Sequence, residues 1–154
     1  MGLFVEGMLC QICGQPIVGR QEITSLPSLG SDTNDPLFVY GDCTFHTGCI
    51  ARLGVYPEIQ ERVNRIVEMT RNRPPKCDIC GQPIQHWNDI VAFTRLTSET
   101  SGILSGFCYK QFHKQCLKHD DRLPDLTLAL RRLHSSGEWG GEQLELWLSD
   151  IDHL

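Results

Sequence analysis

Two stretches of this chain place apolar residues at helical spacing and in the same phase. Ile59, Val63 and Ile66 stand at i, i+4 and i+7, and Leu126, Leu130 and Leu133 repeat that spacing. Such a stripe predicts a helix that buries one face. Each stretch opens on a proline followed by an acid, Pro57-Glu58 and Pro124-Asp125. Proline suits the first helical position and an anion suits the positive end of the backbone dipole. Upstream, Ile90, Ala92 and Phe93 alternate weakly and predict a short strand. The segments "TFHTGCIARLG" (44–54) and "QFHKQCLKHDD" (111–121) predict short helices beginning near their histidines. The last stretch, "GEWGGEQLELWLSDIDHL" (137–154), fits two patterns. Leu144, Trp147, Leu148 and Ile151 have helical spacing, while Leu144, Leu146 and Leu148 alternate as a strand would, and both readings stay open.

The matching stripes belong to a longer coincidence. A shift of 67 residues carries "CQICGQPI" at Cys10–Ile17 onto "CDICGQPI" at Cys77–Ile84, and Phe45, His46 and Cys49 onto Phe112, His113 and Cys116. Ile23 meets Ile90, Leu29 meets Leu96, and Pro57 meets Pro124. The chain is therefore two copies of one unit, about residues 10–69 and 77–136, followed by a tail. The expected division is a first unit at 1–70, a second at 71–136 and an acidic, aromatic-bearing segment at 137–154. "TRNRPPK" (70–76) separates the copies, because a helix cannot run through Pro74-Pro75.

Units this small have thin cores and need a staple, which eight cysteines can supply. The opening "MGLFVEGMLC" has neither a basic segment nor an unbroken apolar run, so no signal peptide is expected. No apolar stretch approaches the roughly 20 residues that cross a bilayer. A reducing, cytoplasmic setting follows as the expectation, and there Cys-x2-Cys pairs read as metal or redox sites. The net charge of -5 sits in the tail, which holds five acids and no Lys or Arg; the remainder is balanced. Without a basic stripe to neutralise phosphates, nucleic acid is disfavoured as a partner.

The repeat also sorts the cysteines. Cys10, Cys13, His46 and Cys49 recur as Cys77, Cys80, His113 and Cys116, each set reading Cys-x2-Cys, 32 residues, His-x2-Cys. Cys43 and Cys108 have no counterparts; Lys110 and Gly41 stand in the matching places. Three thiolates and one imidazole suit zinc, a filled-shell ion of borderline softness that favours a tetrahedron. Disulfides within the Cys-x2-Cys pairs would leave both histidines unexplained. Cys43, three residues before His46, is an alternative ligand in the first unit. Two structural zinc ions are thus expected. Each would contribute on the order of 10–16 kcal/mol of apparent binding free energy, more than the ~5–15 kcal/mol stability of a typical domain.

"CQICGQPI…FHTGC" and "CDICGQPI…FHKQC" resemble the treble-clef zinc modules of the LIM and RING-like group. The resemblance implies a small α+β fold in each unit, with a zinc knuckle, a short β-hairpin and helices, and it implies zinc ligation by the eight residues named above. A LIM domain would carry another cysteine two residues past His-x2-Cys, where Arg52 and His119 stand instead. A RING would interleave eight ligands between two ions, whereas here each unit closes its own site.

A catalytic zinc keeps one position open for water, and four protein ligands leave none. The chain also lacks His-Glu-x-x-His, a zinc-deaminase glutamate two residues after a histidine, a P-loop and Gly-x-Ser-x-Gly. An enzyme is not expected. The remaining expectation is a protein-binding module, an adaptor or an immunity-type inhibitor of a basic target, with Trp139 and Trp147 of the tail as contact residues because tryptophan is frequent at binding hot spots. The alternative for those tryptophans is packing back onto the units. Nucleic-acid binding through Lys110, Lys114, Lys118, Arg131 and Arg132 is the second functional reading, and RING-like ubiquitin transfer the third.

Overall fold

The computed structural model describes residues 5–19 and 22–154. The chain divides into two compact units, Met1–Gly30 with Asp35–Arg65, and Ser31–Asn34 with Ile66–Leu154. Each contains a two-stranded antiparallel sheet, and five α-helices are found among the described residues.

In the first unit, a bridge between Leu9 and Pro16 closes the knuckle. Strand β1 (Ile23–Ser25) pairs with β2 (Thr44–His46), Ile23 opposite His46. Helix α1 (Thr47–Ile50) follows directly, then α2 (Tyr56–Thr70), which runs on into residues assigned to the second unit. The second unit repeats the order: a bridge between Lys76 and Pro83, β3 (Ile90–Phe93) against β4 (Lys110–His113), α3 (Lys114–Lys118) and α4 (Leu123–Ser136). Helix α5 (Gln143–Asp152) is added at the end. The duplication reaches the backbone conformation. Gly14 and Gly81 have φ of 69° and 71°, and Asp42 and Tyr109, also 67 residues apart, have φ of 54° and 57°. Glycine adopts this left-handed region without steric cost, which is why it ends each knuckle.

Several details differ from expectation. The strands of each sheet are not joined by a tight hairpin. Residues 26–43 and 94–109 intervene, and each carries a 3-10 turn, Phe38–Tyr40 or Ser105–Phe107. These long connections bury Leu26, Leu29 and Leu37 in one unit and Leu96 and Phe107 in the other, so much of each core is made by loop residues that follow no period. The histidines cap α1 and α3 in extended conformation instead of lying in their first turns. The long helices begin at Tyr56 and Leu123, one residue before their prolines.

The two long helices also bury different things. In α4, Leu126 and Leu130 are buried. In α2, Ile59 is buried beside Arg62, while Val63 and Ile66 are only half-buried. Arg62 donates to Asp35 at 2.9 Å and to Glu58 at 2.8 Å, so its charge is paired rather than stranded. Burial lowers its pKa, and the two carboxylates more than reverse that, leaving it raised. The place of Arg62 in the second unit is taken by Ala129, and that of Asp35 by Gly102.

The tail is a helix. Leu144, Trp147 and Ile151 of α5 are buried at i, i+3 and i+7, while Leu146 is exposed. Before it, the Gly137–Gly141 turn receives Ser31–Asn34. Thr33 N–H donates to the Gly140 carbonyl at 3.1 Å, Gly140 N–H to Asp32 Oδ1 at 2.8 Å, and Asn34 Nδ2 to the Glu138 carbonyl at 3.2 Å. A Cβ on Gly140 would overlap the Thr33 hydroxyl.

Candidate metal centres

The sequence puts each pair of ligands on a rigid local frame. Cys10 and Cys13 flank the knuckle turn, held by Gly14 N–H to the Cys10 carbonyl at 2.8 Å and Cys10 N–H to the Gln15 carbonyl at 2.9 Å; Gly81, Cys77 and Gln82 repeat both bonds at the same lengths. The other pair comes from the strand-to-helix junction. His46 ends β2 and caps α1, which carries Cys49; His113 ends β4 and caps α3, which carries Cys116.

The structure brings together Cys10, Cys13, His46 and Cys49 in one group and Cys77, Cys80, His113 and Cys116 in the other, with all ligand atoms of a group within 4.8 Å of one another. Nδ1 of His46 lies 3.4 Å from Cys13 Sγ and 3.9 Å from Cys49 Sγ. Nδ1 of His113 lies 3.4 Å from Cys80 Sγ and 3.9 Å from Cys116 Sγ. Zinc at its usual ~2.3 Å from sulfur and ~2.1 Å from nitrogen would set tetrahedral S···N edges of about 3.6 Å, so both groups fit that ion. All eight cysteines are free thiols. The chain thus carries two tandem Cys3His sites for two structural metal ions, consistent with zinc. Cys43 is not a ligand: its half-buried Sγ donates to the Val39 carbonyl at 3.6 Å. Cys108 accepts from Leu96 N–H at 3.2 Å and donates to the Leu104 carbonyl at 3.4 Å, a packed thiol tying down a loop.

The thiols of a group differ in acidity. Burial opposes ionisation of Cys10, but N–H groups of Cys13, His46 and Ile12 outweigh it and lower its pKa to about 6. At Cys77 burial is outweighed likewise by N–H groups of Cys80, His113 and Ile79, again to about 6. Burial and the neighbouring thiols push Cys49 up, and push Cys116 up to about 12. Without a cation, burial and the neighbouring thiols disfavour the thiolate at Cys49 and Cys116; a divalent ion at the centre removes that penalty.

The tail residues read as contact candidates have other places. Trp147 is 3 % exposed, its ring 5.5 Å from that of Phe93, and its indole N–H donates to the Ala92 carbonyl at 3.0 Å. It is a core side chain of the second unit and offers no surface. Trp139 is half-buried with its ring centre 5.6 Å from that of Trp147. Charges expected to face partners face each other: Lys114 pairs with Asp150 at 3.5 Å, Arg131 with Asp152 at 2.7 Å and Lys110 with Asp78 at 3.0 Å, while Lys118 donates to the Leu154 carbonyl. The exposed tryptophan is instead Trp87, at 80 %. It lies outside every periodic segment, and its only sequence signal is a large aromatic in the polar stretch "QHWND".

No helix among the described residues is long and apolar enough to cross a membrane. Comparisons with protein-family models, curated proteins and solved structures find no match to this chain.

Proposed function

We propose that this chain is a non-catalytic protein-binding module, an adaptor or an inhibitor, in which two zinc ions hold a recognition surface in shape. Four protein donors per ion complete a tetrahedron and leave no position for water or substrate. The observation that carries the binding role is Trp87, a large aromatic left 80 % exposed in a unit that buries Trp147 and three phenylalanines. Exposed aromatics of this kind are enriched at protein interfaces.

Charge gives less support than composition suggested. The tail's Asp150 and Asp152 are matched by Lys114 and Arg131. Such exposed pairs add little stability, but they cancel at short range the fields that would steer a basic protein or a phosphate backbone. A basic target and a nucleic-acid ligand therefore both lose part of their motive, and apolar recognition gains.

The test is affinity capture from native lysate with the zinc-loaded full chain, compared with the chelated protein and with Trp87→Ala. A protein retained by the zinc form and lost from both controls is the expected result. Retention of nucleic acid alone, or substrate turnover dependent on the metal, would overturn the reading.

A further inference from the structure

The second unit has a cavity of about 380 Å³ lined from the end of α2, residues 72–75, residues 84–87 and one face of the β3–β4 sheet. That volume lies at the small end of the roughly 300–1,000 Å³ range of ligand sites. Strand alternation sends Val91, Phe93 and Phe112 into the core and leaves Ile90 and Gln111 on the opposite face, where both line the cavity.

Gln111 is the unusual member. It is only 8 % exposed. Its N–H donates to Asp78 Oδ2 and its carbonyl accepts from Asp78 N–H, both at 2.8 Å, so its main chain is engaged and its side chain is what meets the cavity. Among the described residues the carboxamide makes no hydrogen bond. The carboxamide is not sealed from solvent; it lines a space that a ligand can enter and offers that ligand both a donor and an acceptor. At the rim stands Trp87. Arg73 is the one Lys or Arg among the lining residues; no acid lines the cavity, and Arg73 makes no ion pair among the described residues. In a chain of net charge -5 this is a local cationic exception.

Resting on the reading of the chain as a protein-binding module, we propose that this cavity takes the C-terminal end of a partner polypeptide. The terminal carboxylate pairs with the Arg73 guanidinium, whose fork matches a carboxylate. Gln111 answers the last peptide group, which offers both a donor and an acceptor. An apolar terminal side chain covers Trp87. A chain end suits the small volume because it need only enter, whereas an internal segment must enter and leave; capture of a terminal carboxylate is a recurrent mode of peptide recognition.

The experiment uses the zinc-loaded full chain, immobilised, and two pools of random peptides, one with free C-termini and one amidated, with retained peptides identified by mass spectrometry. Free-acid peptides with apolar last residues should be retained over their amides. Arg73→Gln and Trp87→Ala change exposed side chains and should keep two zinc ions per chain, yet each should weaken retention about tenfold. Equal retention of the two pools, or retention unchanged in both variants, overturns the proposal, and so does enrichment of internal acidic residues in the amidated pool. Selective free-acid binding by a protein that captures nothing from lysate would support the cavity while removing the module reading. Capture of a partner undiminished in both variants would sink the cavity and leave that reading standing.

Discussion

Replacing Trp147 by alanine separates a core role from a contact role. The side chain is 3 % exposed, with ring centres 5.5 Å from Phe93 and 5.6 Å from Trp139. Truncating a buried aromatic to alanine costs about 3–5 kcal/mol through lost transfer energy and the void left behind. Loss of the indole donor leaves the Ala92 carbonyl short of a partner, adding about 1 kcal/mol. The sum, about 4–6 kcal/mol, is comparable to the whole stability of a small domain. Trp147→Phe keeps most of the ring contact and should cost only about 1–2 kcal/mol, chiefly the hydrogen bond and a little volume. Urea unfolding of the zinc-loaded chain, followed by far-UV circular dichroism and by zinc transfer to a chromophoric chelator, measures both variants. The alanine variant should release one ion at markedly lower urea, because Cys77 and Cys116 pack in the same cluster as Trp147, while the ion held by Cys10, Cys13, His46 and Cys49 stays. A loss below about 1 kcal/mol, with partner capture abolished, would refute the core assignment and restore Trp147 as a contact residue.

Other outcomes follow from the same geometry. The full chain should bind two zinc ions, and Cys49→Ser or Cys116→Ser should each remove one, read by elemental analysis; two ions retained in either variant would contradict the ligand sets. Zinc binding should release protons at neutral pH, because Cys116 with its pKa near 12 is protonated until the ion arrives. Affinity should therefore fall as pH falls, and calorimetry in buffers of different ionisation enthalpy checks the proton count, with a count of zero as the refuting result. Asp35→Ala should destabilise the first unit by about 3 kcal/mol, since the buried Arg62 keeps only the more exposed Glu58; a change under about 0.5 kcal/mol would show that the pair is dispensable.

The ligands were legible because metal chemistry is carried by residue type and spacing; the repeat favoured His46 over Cys43 but left the choice open until the structure grouped His46 with Cys10, Cys13 and Cys49. The long helices were legible from period and proline, although Arg62 on the buried face of α2 breaks the apolar rule and is intelligible only once Asp35 and Glu58 are seen beside it. The tail was ambiguous because Leu144, Leu146 and Leu148 fit both periods; the core that receives Trp147 chose the helix. Least legible were the long connections between paired strands. Leu37, Leu96 and Phe107 are buried there by tertiary packing without periodic neighbours, and the Trp87 cavity depends on loops that local sequence does not specify.

The contacts of Ser31–Asn34 with the Gly137–Gly141 turn join residues more than 100 positions apart. During synthesis these four residues leave the ribosome more than 100 residues before their hydrogen-bond partners do. The later-made unit thus includes four residues whose sequence neighbours on both sides belong to the other unit, and its closure is the slow, long-range kind of event that raises contact order. A gene cut at the sequence repeat would not yield two self-sufficient products. The piece starting at residue 71 would lack Ser31–Asn34 and the end of α2, so the duplication visible in the letters is no longer a division of labour in folding.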